Sequence, residues 1–158
     1  GEGDKYYEEM MADMRSRHPH KIGLYLGFNG ILAQRIYAGS DMFLMPSKFE
    51  PCGLGQLISL RYGTVPIVRA TGGLADTIVD YDSETNSGNG FSFEPYNSRA
   101  MFDTIQRALR LYREKPEKWR KLVINCLERD FSWNRSAAEY MELFDLAISK
   151  LLKADRIA

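Results

Sequence analysis

The chain has 158 residues, 44% of them hydrophobic and 12% aromatic, enough for one sizeable core in a single domain and too apolar for a disordered or fibrous protein. Lysine plus arginine equals aspartate plus glutamate at 21 each, so no surplus of positive charge argues for nucleic acid or an anionic membrane surface as partner. Two cysteines, Cys52 and Cys126, lack metal-ligand spacing, no apolar run approaches a membrane span, and Gly1-Glu2-Gly3-Asp4 has no signal-peptide character, so a cytoplasmic protein without metal or disulfide framework is expected.

In chain order, Gly1 to Asp4 resembles the glycine-rich exit of a strand that the chain does not contain, as if the fold began upstream. Asp4 is placed to cap a helix from Lys5 to about Arg17. Tyr7, Met10, Met11 and Met14 share its apolar side and are expected to pack in a core rather than form a ligand surface. His18 and His20 flank Pro19 in a connector, with no carboxylate or cysteine nearby to give them a chemical role. Lys21 to Leu26 reads as a strand, Gly27-Phe28-Asn29-Gly30 as its exit, and Asn29 as the cap of a helix from Ile31 to Tyr37. Phe28 either stacks on a nucleotide base or packs beneath its own loop.

The chemistry concentrates in the next stretch. Asp41 to Met45 is nearly uncharged, as in a strand covered on both faces, and Pro46 stops it. Leu54 to Tyr62 reads as a helix ended by Gly63, with Gly53 and Gly55 around its first turn, where unpaired N–H groups and the positive end of the helix dipole meet. A strand, a glycine-bearing loop and a helix start of this kind suit the phosphates of a nucleotide. The carboxylate of Glu50 at the lip would weaken phosphate binding unless it faces sugar hydroxyls or positive charge developing on carbon.

Thr64 to Val68 is a β-branched strand, and its exit loop carries Thr71, Gly72 and Gly73, where the backbone can approach a ligand, although a lone glycine pair often marks only a turn. Asp80 to Gly90 is polar and glycine-containing, which predicts a mobile surface loop before a short strand, Phe91 to Phe93. Asn97 or Ser98 caps a helix through Arg113 with Met101, Ile105, Leu109 and Tyr112 as its stripe. Pro116 starts another with Trp119, Leu122, Val123, Cys126 and Leu127 inward, and the charges between Arg110 and Lys121 alternate in sign as on a solvated face. Ser132 precedes a final helix, 133–152, whose Trp133, Tyr140, Phe144, Ile148 and Leu151 form a stripe wide enough to need a partner surface. Four strands separated by helices predict an α/β fold, a Rossmann-like parallel sheet with flanking helices, with the ligand crevice outside the strands' C-terminal ends.

Three segments in order carry a resemblance: Ser47-Lys48-Phe49-Glu50-Pro51-Cys52-Gly53-Leu54, Arg61-Tyr62-Gly63-Thr64-Val65-Pro66 and Thr71-Gly72-Gly73-Leu74-Ala75-Asp76-Thr77. Together with Ala38 to Pro46 upstream, and Gly90 to Phe93 and Asp130-Phe131-Ser132-Trp133 downstream, they closely resemble the bacterial glycogen synthase and plant starch synthase family over most of the chain. The resemblance implies the C-terminal half of a GT-B fold, truncated at its N-terminus, in a retaining glycosyltransferase. That half would bind the donor, ADP-glucose or less readily UDP-glucose, while a glucan acceptor binds in the cleft and on an N-terminal domain absent from this chain.

Carried over residue by residue, the resemblance puts the catalytic Glu50 beside the transferred glucose, holding a hydroxyl and stabilising positive charge near C1. The backbone around Cys52 and Gly53 would meet the glucosyl hydroxyls, and that of Leu54 and Gly55 the distal phosphate, with Thr71 and Gly72 on the neighbouring loop. Gly27 and Phe28 would border the base, which tips Phe28 towards base contact. Cys52 would lie near the sugar without acting as nucleophile, since no histidine is placed to activate it. No cofactor is implied.

The departures are informative. Many GT-B enzymes carry a second carboxylate, for the ribose, eight residues after the first; Ile58 stands there, and the glycogen synthase subgroup likewise does without that carboxylate. Gly55 replaces a frequent threonine, and the strand and loop bearing the family's phosphate-neutralising arginine and lysine would precede this chain. The chain is thus expected to be a partial donor domain, inactive alone, whose final helix docks on the missing N-terminal domain. The competing readings are a GT-B transferase of other specificity and a non-catalytic nucleotide or glucan binding module.

Overall fold

A computed structural model describes residues 3–154, with side chains through Leu151. The chain divides into two compact units, at Gly39 and Ser40. In the first, α1 (Lys5–Arg17) begins at Asp4, whose carboxylate accepts the N–H of Tyr6 at 2.9 Å, and α2 (Gly30–Gly39) begins after Asn29, whose side-chain oxygen accepts the N–H of Leu32 at 2.9 Å. Both caps are those expected, because a short polar side chain ahead of a helix supplies the acceptor its first N–H groups lack. The predicted strand at Lys21 to Leu26 is not formed. Residues 22–26 carry no regular secondary structure, because a segment becomes a strand only by exchanging a ladder of hydrogen bonds with a neighbour, and the described sheet has three strands, all later in the chain. The expected burial of Tyr7, Met10, Met11 and Met14 also fails, since no residue of α1 is buried. A methionine stripe packs only where a second apolar layer covers it, and this unit supplies two helices and no sheet.

The second unit holds β1 (Met42–Met45), α3 (Gly55–Arg61), β2 (Val65–Arg69), α4 (Gly73–Thr77), β3 (Phe91–Phe93), α5 (Ser98–Glu114), α6 (Pro116–Leu127) and α7 (Trp133–Ala154). The three strands form one parallel sheet in the order β1-β2-β3, with Met42 opposite Val65, Met45 opposite Val68, Ile67 opposite Phe91 and Arg69 opposite Phe93. Parallel neighbours need crossovers, and α3 and α4 lie in them. All three strands therefore end on one edge, at Met45, Arg69 and Phe93.

β2 is the middle strand, and Val65, Pro66, Ile67 and Val68 are all buried, which accounts for its unbroken apolar run. Leu60 of α3, Leu74 of α4, Phe91, and Leu122 and Cys126 of α6 complete the core, each fully buried apolar side chain contributing about 1.5–3 kcal/mol. α5 turns a different face inward from the one expected. Thr104, Ala108 and Leu111 are buried, while Met101, Ile105 and Leu109 are half-buried and Tyr112 is exposed. The helix packs on β2 and β3, and Thr104 hides its hydroxyl by donating to the Ala100 carbonyl at 2.9 Å. In α6, Trp119, Leu122 and Cys126 point inward as expected, with Val123 half-buried, whereas Leu127 in the last turn stays exposed.

The segment from Asp80 to Gly90, read as a mobile loop, is closely tied down. Asn89 is fully buried, accepting from Val79 N–H at 2.6 Å and donating to Thr77 at 3.0 Å, and Asn125 of α6 reaches the carbonyls of Asn86 and Gly88. Asn89 thus satisfies backbone groups that burial cuts off from water, while Asp82 to Thr85 and Ser87 stay exposed. Arg107 of α5 grips Asp80 with both guanidinium nitrogens and lies over the ring of Phe91. On α7, by contrast, Trp133, Tyr140, Phe144, Ile148 and Leu151 are exposed, Trp133 to 83%. Among the described residues no helix is long and apolar enough to cross a membrane.

Candidate functional site

The loops leaving the common edge of the sheet gather most of the candidate residues. After β1 the chain runs through Pro46 to Leu54 into α3, and after β2 through Ala70 to Gly72 into α4, a short helix that begins within the expected exit loop. The two loops are joined backbone to backbone. The N–H of Gly73 donates to the Glu50 carbonyl at 3.1 Å, and the next residue, Pro51, has no N–H to leave unpaired. A Cβ on Gly72 would collide with the Glu50 carbonyl, and one on Gly73 with the Cys52 carbonyl. Gly72 also has φ +45 and ψ −135, which only glycine adopts without strain. The paired glycines are therefore required by chain crossing, whatever else they do.

Glu50, Cys52, Gly53, Leu54, Gly55, Thr71 and Gly72 are thus brought together on one edge of the second unit. Glu50 is half-buried, Cys52 exposed, Gly53 buried with φ +74, and Leu54 exposed at 67%. The N–H groups of Gly53, Leu54 and Gly55 find no protein acceptor among the described residues. Gly27 and Phe28 lie in the first unit, where Gly27 has φ +127 and Phe28 is 92% exposed, so the ring does not pack beneath its loop.

Two residues that sequence reasoning passed over organise the loops. Arg69, the last residue of β2, donates through Nη1 to the Lys48 carbonyl at 2.8 Å and through Nε to the Glu94 carbonyl at 3.1 Å, and its guanidinium lies over the Tyr96 ring at 5.4 Å. It binds the loop after β1 to the segment after β3. Gln56, in the first turn of α3, is fully buried. Its Nε2 donates to the carbonyls of Cys52 at 3.1 Å and Gly53 at 3.0 Å and lies 3.2 Å from Thr77 Oγ1, which donates to Gly73 at 2.6 Å. Its Oε1 is buried without a partner, a cost of about 1–3 kcal/mol that an apolar residue would avoid. The available signal for each was a lone polar residue interrupting an apolar element: Arg69 after Val65 to Val68, and Gln56 between Leu54 and Leu57.

Cys126, as expected, is a core residue. Its Sγ donates to the Asn89 carbonyl at 3.3 Å, and burial pushes the thiol up to about 12. It takes no part in this edge.

The sequence profile for the glycosyl transferases group 1 matches residues 4–124. The chain belongs to that family. It is 63% identical over 96% of its length to the glycogen synthase of Desulforudis audaxviator and 51% identical over 95% to that of Thermosipho africanus, spanning about 30% of each relative. Among solved structures it is similar to the catalytic domain of starch synthase IV from Arabidopsis thaliana, bound to ADP and acarbose, with TM-score 0.79 and 40% identity over 92% of this chain and 30% of that one. The sucrose-phosphate synthase of Thermosynechococcus elongatus shares the fold at TM-score 0.64 and 21% identity over 95% of this chain and 38% of that one. The parallel sheet with flanking helices is thus a Rossmann-like half of a GT-B glycosyltransferase, with the edge described above at the C-terminal ends of its strands.

Proposed function

We propose that this chain is the donor-binding part of an α-1,4-glucan synthase, which transfers glucose from ADP-glucose to the non-reducing end of a glucan with retention of configuration. The observation that carries the reading is the joining of the Glu50 loop and the Thr71 to Gly73 loop into one unit at the strand ends. It occurs in a chain 63% identical to a glycogen synthase. That unit offers the free N–H groups of Gly53, Leu54 and Gly55 beside one carboxylate, a set that suits a sugar attached to a phosphate.

In this reading the Glu50 carboxylate holds a glucosyl hydroxyl and stabilises charge at C1 as the bond to the departing phosphate lengthens. The acceptor hydroxyl attacks from the same face and loses its proton to that phosphate. Gly53 N–H meets the sugar, and Leu54 and Gly55 N–H the distal phosphate. ADP is favoured over UDP because the starch synthase with 40% identity was solved with ADP. The exposed stripe of α7 docks on the remainder of the enzyme, of which this chain spans about 30% in its relatives.

The test is transfer by the full-length enzyme from ADP-glucose and, separately, UDP-glucose to a glucan primer, with the anomeric configuration of the new bond read by NMR. Retained α linkage with ADP-glucose preferred is the expected result; inversion, or no transfer from either donor, overturns the reading. The 158-residue chain alone should make no glucan, because losing one preorganised charge-stabilising donor costs about a hundred- to a thousandfold in rate and the acceptor surface would be supplied by the rest of the enzyme.

A further inference from the structure

The buried amide of Gln56 sits behind the loop rather than in it, and its two carbonyl partners belong to consecutive peptide units. In a trans peptide the C=O and the following N–H share one plane and point in opposite directions. Anchoring the Cys52 carbonyl inward therefore turns the N–H of Gly53 outward, and anchoring the Gly53 carbonyl inward turns the N–H of Leu54 outward. These are two of the N–H groups left without a protein acceptor. From this geometry we infer that Gln56 is a positioning residue, which aims the Gly53 and Leu54 N–H groups at the transferred glucose and its phosphate without touching either.

Three further observations fix the arrangement. Gly53 has φ +74, and a Cβ there would fall 2.5 Å from Gln56 Oε1, so a side chain at 53 would press on the amide. Thr77 lies against the same Nε2 and donates to Gly73, whose N–H in turn holds the Glu50 carbonyl, so the amide also reaches the segment that carries the carboxylate. Turning the amide over would bring Oε1 against two carbonyl oxygens, so Nε2 keeps its place even though Oε1 is left without a partner. An apolar side chain would fill the space and leave both peptide planes free to rotate.

The inference rests on the donor-site reading above, and its test separates the two. In the full-length enzyme, Gln56→Met removes both hydrogen bonds while keeping an unbranched side chain. Gln56→Glu keeps the shape, and burial beside two carbonyls favours its protonated form, which supplies one O–H donor. Kinetics are measured well below the melting temperature, with donor and acceptor varied separately. We expect Gln56→Met to lower kcat/KM for the donor at least about a hundredfold, the scale of losing a preorganised N–H donor, with the acceptor KM within about twofold of wild type. Gln56→Glu should recover at least about tenfold of that loss at acidic pH relative to wild type at the same pH, and lose it as pH rises and the O–H is removed. A Gln56→Met enzyme within about threefold of wild type, or one whose donor and acceptor parameters fall together with the folded fraction, overturns the positioning role. If Gln56→Met does not fold, the pH profile of Gln56→Glu decides alone: a profile parallel to wild type overturns the inference. A wild-type enzyme that transfers from no nucleotide sugar overturns the donor-site reading, and this inference with it.

Discussion

The N–H of Gly73 donates to the carbonyl of Glu50 at 3.1 Å, joining two loops that leave neighbouring strands of the sheet. The contact exists only because residue 73 has no side chain, since a Cβ would overlap the Cys52 carbonyl. Gly73→Ala should therefore force the loops apart and cost about 1–3 kcal/mol or more, the usual range for overpacking a closed site. Gly39→Ala, where nothing lies within 4 Å of the added Cβ, serves as the control and should hold or slightly raise stability. Urea midpoints of the two variants check this. Equal midpoints would mean that the crossing relaxes without cost.

Arg69 supports the same edge from the middle strand. Its guanidinium spans the carbonyls of Lys48 and Glu94, so one planar group fixes the segments after β1 and after β3. The bonds are partly solvated, so Arg69→Ala should cost about 1–2 kcal/mol, near the low end for bonds to a charged donor. Arg69→Lys should recover less than half of that, because an ammonium cannot reproduce the fork. Urea unfolding gives the two costs, and protease cleavage after Lys48 reports the freed loop. Full rescue by lysine would show that charge, not planar geometry, holds the segments.

How far the sequence alone could reach is clear from these elements. The caps at Asp4, Asn29 and Asn97 were legible because each depends on one short side chain and the next few residues. The sheet's three strands were legible because their apolar runs are bounded by turn residues. Lys21 to Leu26 has an equally good strand pattern and fails because a ladder needs a neighbour, which no local pattern encodes. The inward face of α5 departs from its stripe of large apolar residues because Thr104 and Ala108, buried beside Leu111, carry no strong apolar signal of their own. At the candidate site, the glycines and Glu50 stood out by type. Gln56 and Arg69 did not, since their partners are carbonyls whose directions exist only once the chain has folded.

The two cysteines should separate sharply in chemistry. Cys52 is exposed at the loop, whereas Cys126 is buried with its thiol pushed up to about 12 by burial. At pH 8 under native conditions, iodoacetamide should label Cys52 alone, and Cys126 only after urea is added; mass spectrometry of the peptides decides. The same shift predicts a pH effect. The folded state holds the Cys126 proton more tightly than the unfolded chain, whose value is about 9.0, so the associated stability is complete below pH 9 and is lost as pH rises towards 12. Cys126→Ala should flatten that part of the stability profile relative to wild type, and two parallel profiles would contradict the assignment.

The apolar face of α7 gives the last prediction. Tyr140 and Phe144 lie one turn apart with ring centroids 6.2 Å from each other, and with Trp133, Ile148 and Leu151 they form an exposed apolar stripe. Covering a large apolar side chain gains about 1.5–3 kcal/mol, so several together can offset the cost of association. If the stripe is the surface that docks on the rest of the enzyme, the 158-residue chain alone should self-associate as its concentration rises. Tyr140→Glu combined with Phe144→Lys should keep it monomeric while leaving the melting of the sheet core unchanged, because neither residue belongs to that core. In the full-length enzyme the same pair should then lower the melting temperature, since the charges would meet the docked surface. Sedimentation velocity over a wide concentration range reads the first effect and calorimetry the second. A chain that stays monomeric throughout, in an enzyme indifferent to both charges, would mean that α7 docks on nothing.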